Sequence, residues 1–482
     1  MARAQSQIKH TRPSFHLIDR NTPASIMIPR LLVLLSAAFL TVVGLVMVYS
    51  STTVTSLSSS SAFPLDFFKQ VIFVVLGVGI IVLIVNFLQD DDLLVSFTYA
   101  FWFFCFILFL LTFIAGIENY GARRWLNLGI ASIQPSELMK IALVLIVAEM
   151  SINFRKGQYS YADIVIKVLI FIVIPLVMVV GPNGLRLQSD LGSTMIMLLG
   201  MITAMALGGA KKKTVILVVL GVFLLGFIAI VSQPYRMDRL SMVNPWESAD
   251  DESYQLIRSL KALAAGGLIG KGIGASYESF LTFSQSDFIF AIVGEEMGFI
   301  GAVAVLVAFA LIGYGGFRIA GRARSDYHMV IAGGLTAMIV AQALLNVASV
   351  IGVGPTTGKP LPFLSAGGSS MISSMGTLGF LLMISICSDP TRGARERREN
   401  NLQVVSSDSL KFEEGYGQRP SYHDDNRRGR QVAPPLQNRT GTVNLANPVQ
   451  RSSKGTGYPS PPRRKDPSND LDYSRRRNSR YR

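Results

Sequence analysis

Asp287, Glu295 and Glu296 sit around an apolar run, with Asp287 at the point where a long polar segment meets a hydrophobic helix. Ionisable side chains at membrane depth are expensive, so they mark functional positions by default. A carboxylate placed like Asp287 has three readings. It can take a proton from a hydroxyl as a general base, cap the helix that follows, or hold a cation. A helix N-terminus favours its ionised form, which keeps it charged but makes it a weaker base. Glu295 and Glu296, a couple of turns further in, read as structural ion-pair partners within a helical bundle.

Cations and polar groups gather in four other places. The first runs from Tyr120 through Arg123, Arg124 and Trp125 to Gln134-Pro135-Ser136-Glu137 and Lys140. Pro135 suits a helix start, and Glu137 and Lys140 share a face at i, i+3. The arginines there read either as headgroup contacts with a local salt bridge or as forks for a ligand's phosphates. The second place is Gln188-Ser189-Asp190, where Asp190 either caps the next helix or faces a substrate. The third is the segment 233–286, with Arg236, Arg239, Arg258, Lys261 and Lys271. Its Gln255–Ala265 stretch has helical spacing that suits the membrane surface. Its glycine run, Gly266 to Gly274, has no strand before it. That excludes a dinucleotide or P-loop reading and points to tight turns and close backbone approach. The fourth is the Gly- and Pro-rich run Gly354–Ser370, which contains Ser369 and cannot be a continuous helix.

The elements that position these residues are membrane helices. Half of the 482 residues are hydrophobic and the mean hydropathy is +0.41. Apolar runs long enough to cross about 30 Å of hydrocarbon recur near 30–49, 68–88, 94–115, 135–152, 162–181, 191–209, 214–232, 287–313, 328–351 and 369–387. The expected fold is an all-α, polytopic bundle of about ten transmembrane helices, with a large external loop, 233–286, between helices 7 and 8. Residues 1–29 form a cytoplasmic segment, 30–388 the membrane domain, and 389–482 a cytoplasmic tail.

Orientation follows the basic residues. Arg155-Lys156, Lys211-Lys212-Lys213 and Arg318, Arg322 and Arg324 fall on the same side as both termini, which places that side in the cytoplasm. The acidic gap Asp90-Asp91-Asp92 is the exception. Of the net charge of +14, the tail supplies most, with 20 Lys and Arg against 11 Asp and Glu. Its composition predicts disorder and either binding to anionic lipids or a docking role, with no nucleic acid partner. The two cysteines, Cys105 and Cys387, lie inside spans and suggest neither a disulfide framework nor a metal site.

Seven motifs then occur in a telling order: Gly121-Ala122-Arg123-Arg124-Trp125, Gln134-Pro135-Ser136-Glu137-Leu138-Met139-Lys140, Gln188-Ser189-Asp190-Leu191-Gly192, Asn244-Pro245-Trp246, Tyr254-Gln255 with Ser259-Leu260, Asp287-Phe288-Ile289-Phe290-Ala291, and Pro360-Leu361-Pro362-Phe363-Leu364-Ser365 with Gly367 to Ser370. Over residues 30–388 the chain resembles the SEDS family (FtsW, RodA and SpoVE), and its cell-division branch more than its elongation branch. One departure stands out. The family's Glu and His just before the catalytic Asp are missing from Leu281–Ser286.

The resemblance implies a peptidoglycan glycosyltransferase that polymerises lipid II at the outer face of the bacterial cytoplasmic membrane, at the division septum. It implies Asp287 as catalytic base. It implies Arg123, Arg124, Trp125, Gln134, Glu137, Lys140, Gln188, Asp190, Arg236, Lys261, Lys271 and Ser369 as the substrate-binding set. The implied partners are a class B penicillin-binding transpeptidase and other divisome proteins. The cofactor is left open, with a divalent cation such as Mg²⁺ as the candidate. The rival functions are a lipid-precursor flippase and an elongation-type polymerase.

Overall fold

The computed structural model describes residues 22–58, 65–119, 122–127, 129, 132–181, 188, 190–231, 251–275, 286–354 and 357–390. Each expected crossing is a helix. In chain order they are α1 (Ala24–Ser58), α2 (Leu65–Phe87), α3 (Asp91–Ala115), α4 (Pro135–Arg155), α5 (Tyr161–Val168), α6 (Ile174–Val180), α7 (Leu191–Leu207) and α8 (Lys212–Val231). Then follow α9 (Asp251–Gly266), α10 (Ile289–Ala320), α11 (Asp326–Val350) and α12 (Gly368–Cys387). A π-helical turn, Leu169–Val173, joins α5 and α6 into one crossing. Among the described residues seven helical stretches are long and apolar enough to cross a bilayer. α4 carries buried charges, and α7 is short at 17 residues. The outward faces of α1 to α3 expose Leu35, Ile72, Val75, Phe103 and Leu110, a surface suited to lipid and not to water. The chain is a multi-pass membrane protein.

The acidic gap before α3 has a local cause. The Asp90 side chain accepts from the Asp92 N–H at 2.9 Å and caps the helix. Asp91 and Asp92 then occupy its first turn, where the dipole favours carboxylates. Small residues bring helices close, as membrane bundles require. α7 meets α11 through Gly200 and Gly334, where a Cβ on either would stand 3.2–3.4 Å from the other's carbonyl oxygen.

Two features were not anticipated. A small antiparallel sheet, β1 (Ile117–Asn119), β2 (Ala122–Asn127) and β3 (Ser132–Ile133), fills the connection from α3 to α4. Also, α9 does not lie free on a membrane surface. Leu256, Ser259 and Ala262 are buried where α9 packs on α10 and α11, and Ser259 Oγ donates to the Val350 carbonyl at 2.8 Å.

The glycine run after α9 makes the expected close approach. α10 is broken at Gly298, whose φ of 68° favours glycine. The groups freed there bond to the glycine run. Lys271 N donates to Glu295 O at 2.9 Å, Gly272 N to Glu296 O at 3.0 Å, and Phe299 N to Gly267 O at 2.9 Å. Irregular backbone within a membrane protein survives only when satisfied in this way.

Candidate functional site

The site lies at the end of the bundle where α4, α7, α10 and α12 begin. Asp190 is the N-cap of α7: its Oδ1 accepts from the Ser193 N–H at 3.0 Å. Its Oδ2 accepts from Gln134 Nε2 at 3.0 Å and from the Lys359 ammonium. Lys359 also donates to Ser193 Oγ at 2.7 Å, and both members of the pair are buried at 3% exposure. Asp190 is thus both cap and site residue. Lys359 passes so close over α7 that a Cβ on Gly192 would meet its Cγ at 2.9 Å.

A second buried pair stands behind the first. Lys140 Nζ donates to Glu137 Oε2 at 2.7 Å and also to Gln342 Oε1. Gln342 Nε2 donates to the Pro360 carbonyl at 2.9 Å. The 357–361 segment is therefore held from α11 by a stripe of polar side chains. These are Gln342, Asn346 (Nδ2 to the Lys359 carbonyl, 2.6 Å) and Ser349 (accepting from Thr357 N, 3.4 Å).

Asp287 is half-buried two residues before α10. It does not cap that helix: the N-cap is Phe288, with no side-chain cap bond. The cap reading therefore falls. The expectation of a weakened base falls with it, because burial pushes the Asp287 carboxyl up to about 6 against the opposing pull of Lys359. Asp190 is the opposite case. Burial alone would raise it, but Lys359, Arg124 and the bonds from Lys359 and Ser193 hold it below the usual carboxylate range. The two carboxylates are thus driven in opposite directions, Asp287 upward and Asp190 downward.

The structure brings Arg124, Gln134, Glu137, Lys140, Gln188, Asp190 and Asp287 into this neighbourhood. Arg124 Nε donates to the Gln188 carbonyl at 2.8 Å and acts electrostatically on both aspartates. The Gln188 amide is buried and makes no hydrogen bond among the described residues. Ser369 fastens the floor: its Oγ accepts from Gln134 N at 2.9 Å. Other candidates lie elsewhere. Arg123 donates to the Phe113 and Ile114 carbonyls at 3.3 and 3.0 Å, at the end of α3. Trp125 lines a separate cavity. Lys261 is exposed on α9, and Lys271 pairs with Glu295 at 2.7 Å. That bridge is the ion pair expected of Glu295; Glu296 accepts from Ser50 Oγ at 2.5 Å. Arg236 lies outside the described residues, as do Arg186, Arg239, Asn244-Pro245-Trp246 and the tail beyond Pro390. Sequence reading missed Lys359 and Asn346. The polar stripe Gln342, Asn346, Ser349 on an otherwise apolar helix was the signal for them.

Among the described residues no group of three His, Cys, Asp or Glu could hold a metal ion.

Fold and site together define a multi-pass helical membrane protein with a cluster of buried charged side chains, Glu137, Lys140, Asp190 and Lys359, at one end of the bundle. The chain belongs to the FtsW/RodA/SpoVE family of cell cycle proteins, whose model matches residues 30–389. It is 35% identical to stage V sporulation protein E of Bacillus subtilis over 379 residues, 74% of this chain and 97% of that protein. It is 32% identical to the probable peptidoglycan glycosyltransferase FtsW of Geobacter metallireducens over 372 residues, 74% and 94% of the two chains. Two solved structures share the fold. One is a peptidoglycan synthase complex that coordinates polymerization and crosslinking (TM-score 0.57, 23% identity, 77% of this chain and 99% of that chain). The other is the rod shape determining protein RodA of Thermus thermophilus (TM-score 0.51, 22% identity, 76% and 97%).

Proposed function

We propose that this protein is a peptidoglycan glycosyltransferase that polymerises lipid II into glycan strands at the outer face of the bacterial cytoplasmic membrane, in septal wall synthesis. The observation that carries this reading is the divided pair of aspartates, with Asp287 poised near neutrality beside the buried Asp190–Lys359 ion pair. The relatives called FtsW, more than 30% identical, favour glycosyl transfer and the division role.

In the reaction the 4-hydroxyl of one sugar attacks the anomeric carbon of another. Asp287 accepts the hydroxyl proton as the new C–O bond forms. The bond to the polyprenyl pyrophosphate breaks and its electrons leave with the pyrophosphate. A base with a pKa near working pH is the efficient device for the first half. Arg124, with Lys359 behind it, supplies the positive charge for the second. A divalent cation, were one bound with the substrate, would add positive charge for that second half; among the described residues no group of three His, Cys, Asp or Glu would cage it without the substrate.

Both termini lie in the cytoplasm on this reading, and the basic tail rests on anionic lipid. The product strands pass to a class B penicillin-binding transpeptidase and other divisome proteins. The synthase complex that shares the fold couples polymerization to crosslinking, which supports such a partner. The break at Gly298 is a feature that flippases and other transporters share. Here it is bonded to the glycine run, which ties the helix down.

Purified protein in vesicles should convert lipid II to a muramidase-sensitive polymer. Movement of lipid II across the bilayer without polymer would overturn the reading in favour of transport. An impermeant thiol reagent applied to intact cells should label Ala275→Cys and spare Lys212→Cys; the reverse pattern would refute the orientation.

A further inference from the structure

A cavity of about 390 Å³ opens beside the charged cluster, between the start of α2, the small sheet and the start of α12. The mechanism above makes no use of it. Its walls carry two aromatic rings, Phe73 and Trp125, the amide of Asn127, and the Asp66–Lys69 pair, joined at 3.1 Å and about half exposed. The rest of the rim carries three glycines: Gly129 has open space where a Cβ would stand, Gly367 has only ordinary contacts there, and Gly368 is covered by the Phe73 ring.

This chemistry selects a class of ligand. Aromatic faces take the C–H side of a sugar ring, with an indole polar handle besides. A carboxylate, an ammonium and an amide take hydroxyl and acetamido groups by hydrogen bonding. The cavity is a poor phosphate site. Among the described residues its one ammonium is already matched by Asp66, and no arginine fork lines it. Its volume is near the lower end of ordinary small-ligand sites, and its walls mix the charged pair and the amide with apolar surface, as an amphipathic sugar ring requires.

The cavity also shares a wall with the reaction centre. Ser132 lines it, and two residues on, Gln134 bonds Asp190. Gly368 lines it, and the next residue, Ser369, accepts from Gln134 N. Gln70, another wall residue, is buried and donates to the Ser365 carbonyl at 3.0 Å, tying α2 to the segment that carries Lys359. A polymerase needs somewhere beside its reacting pair for sugars already joined. We propose that this cavity is a saccharide subsite that holds the growing glycan strand next to the reaction centre. The proposal rests on the glycosyltransferase reading.

The test uses the full-length protein in nanodiscs, carrying Asp287→Asn to prevent turnover. The probe is a soluble tetrasaccharide of alternating N-acetylglucosamine and N-acetylmuramic acid, without lipid or pyrophosphate. It should bind saturably. Asp66→Ala should weaken it about tenfold, the scale of one lost hydrogen bond involving a charged group, and Asn127→Ala about fivefold, the scale of a neutral one. On an otherwise wild-type background the same substitutions should shorten the strands made from lipid II. Where either variant fails to fold, Lys69→Gln, at a half-exposed position, takes its place. Absence of binding, binding indifferent to these substitutions, or displacement of the tetrasaccharide by inorganic pyrophosphate would each overturn the proposal. The two readings fail separately. No tetrasaccharide binding by a protein that polymerises lipid II removes the subsite alone. No polymer from the wild type removes the function, whatever the tetrasaccharide does.

Discussion

Asn346 holds Asp287 and Lys359 in one grip. Its Nδ2 donates to the Asp287 carbonyl at 2.8 Å and to the Lys359 carbonyl at 2.6 Å. Asp287 and Lys359 come from segments far apart in sequence, and one amide on α11 bonds both backbones. Asn346→Ala leaves two buried carbonyls unsatisfied and lets the segments drift. The expected cost is about 1–3 kcal/mol in stability and about 10²-fold in rate, the scale of a small misplacement at a reaction centre. Thermal melting and a lipid II polymerisation assay read the two effects. A melt lowered without a matching loss of rate would show that Asn346 serves the fold alone.

Asp287→Asn keeps size and hydrogen bonding but cannot take up the proton. Polymerisation should fall by about 10²–10⁴-fold, with expression and melting unchanged. Since Asp287 caps no helix, stability offers no rival explanation for a loss. A variant that retains more than about a tenth of the wild-type rate would remove Asp287 from the base role.

The base must be ionised to act, and Asp287 ionises as pH rises through about 6. The rate should therefore climb with pH through about 6, level off above it, and fall about tenfold per unit well below it. Asp190, held below the usual carboxylate range, stays charged throughout and contributes no limb. A flat profile between pH 5 and 7 would contradict the assignment.

Removing one partner of a buried ion pair leaves an uncompensated charge, at about 3–5 kcal/mol. Lys359→Met should destabilise on that scale, and so should Asp190→Leu. The double variant should recover part of the loss, and a double-mutant cycle on the melting data measures the coupling. Strict additivity would mean that the pair contributes nothing as a pair.

The membrane fold was legible in the sequence because apolar runs of crossing length have little choice but to be helices. Their ends agree with the expected spans to within about three residues, except that α1 (Ala24–Ser58) overruns its expected span at both ends and α10 (Ile289–Ala320) at its C-terminal end. Asp190 and Gln134 were legible as polar residues at helix starts, and Glu137 and Lys140 as polar residues just inside one. The small sheet was not, because its strands span two to six residues and show no usable period. The placement of α9 was missed because an amphipathic helix looks the same whether its apolar stripe meets lipid or another helix. Here the partners are the bare backbone of Gly294 and the Val350 carbonyl, which no pattern announces. Lys359 sits alone among Gly and Pro, and only the side chains of α11 reveal what holds it. The dipole at α10 suggested a depressed Asp287, but in the structure burial outweighs it.

The charged cluster has a kinetic consequence. Among the described residues, Arg124, Lys140 and Lys359 are matched in number by the carboxyl groups of Glu137, Asp190 and Asp287. Equal numbers of opposite charges at close quarters cast little field into the surroundings, so this cluster does not draw an anionic ligand from a distance. Its attraction is felt only at contact, when a diphosphate displaces carboxylates from cations that already hold them. An amphiphile confined to the bilayer has no need of steering, since it reaches the site by diffusing in two dimensions. Salt should then alter the grip on a bound diphosphate far more than the frequency of encounter.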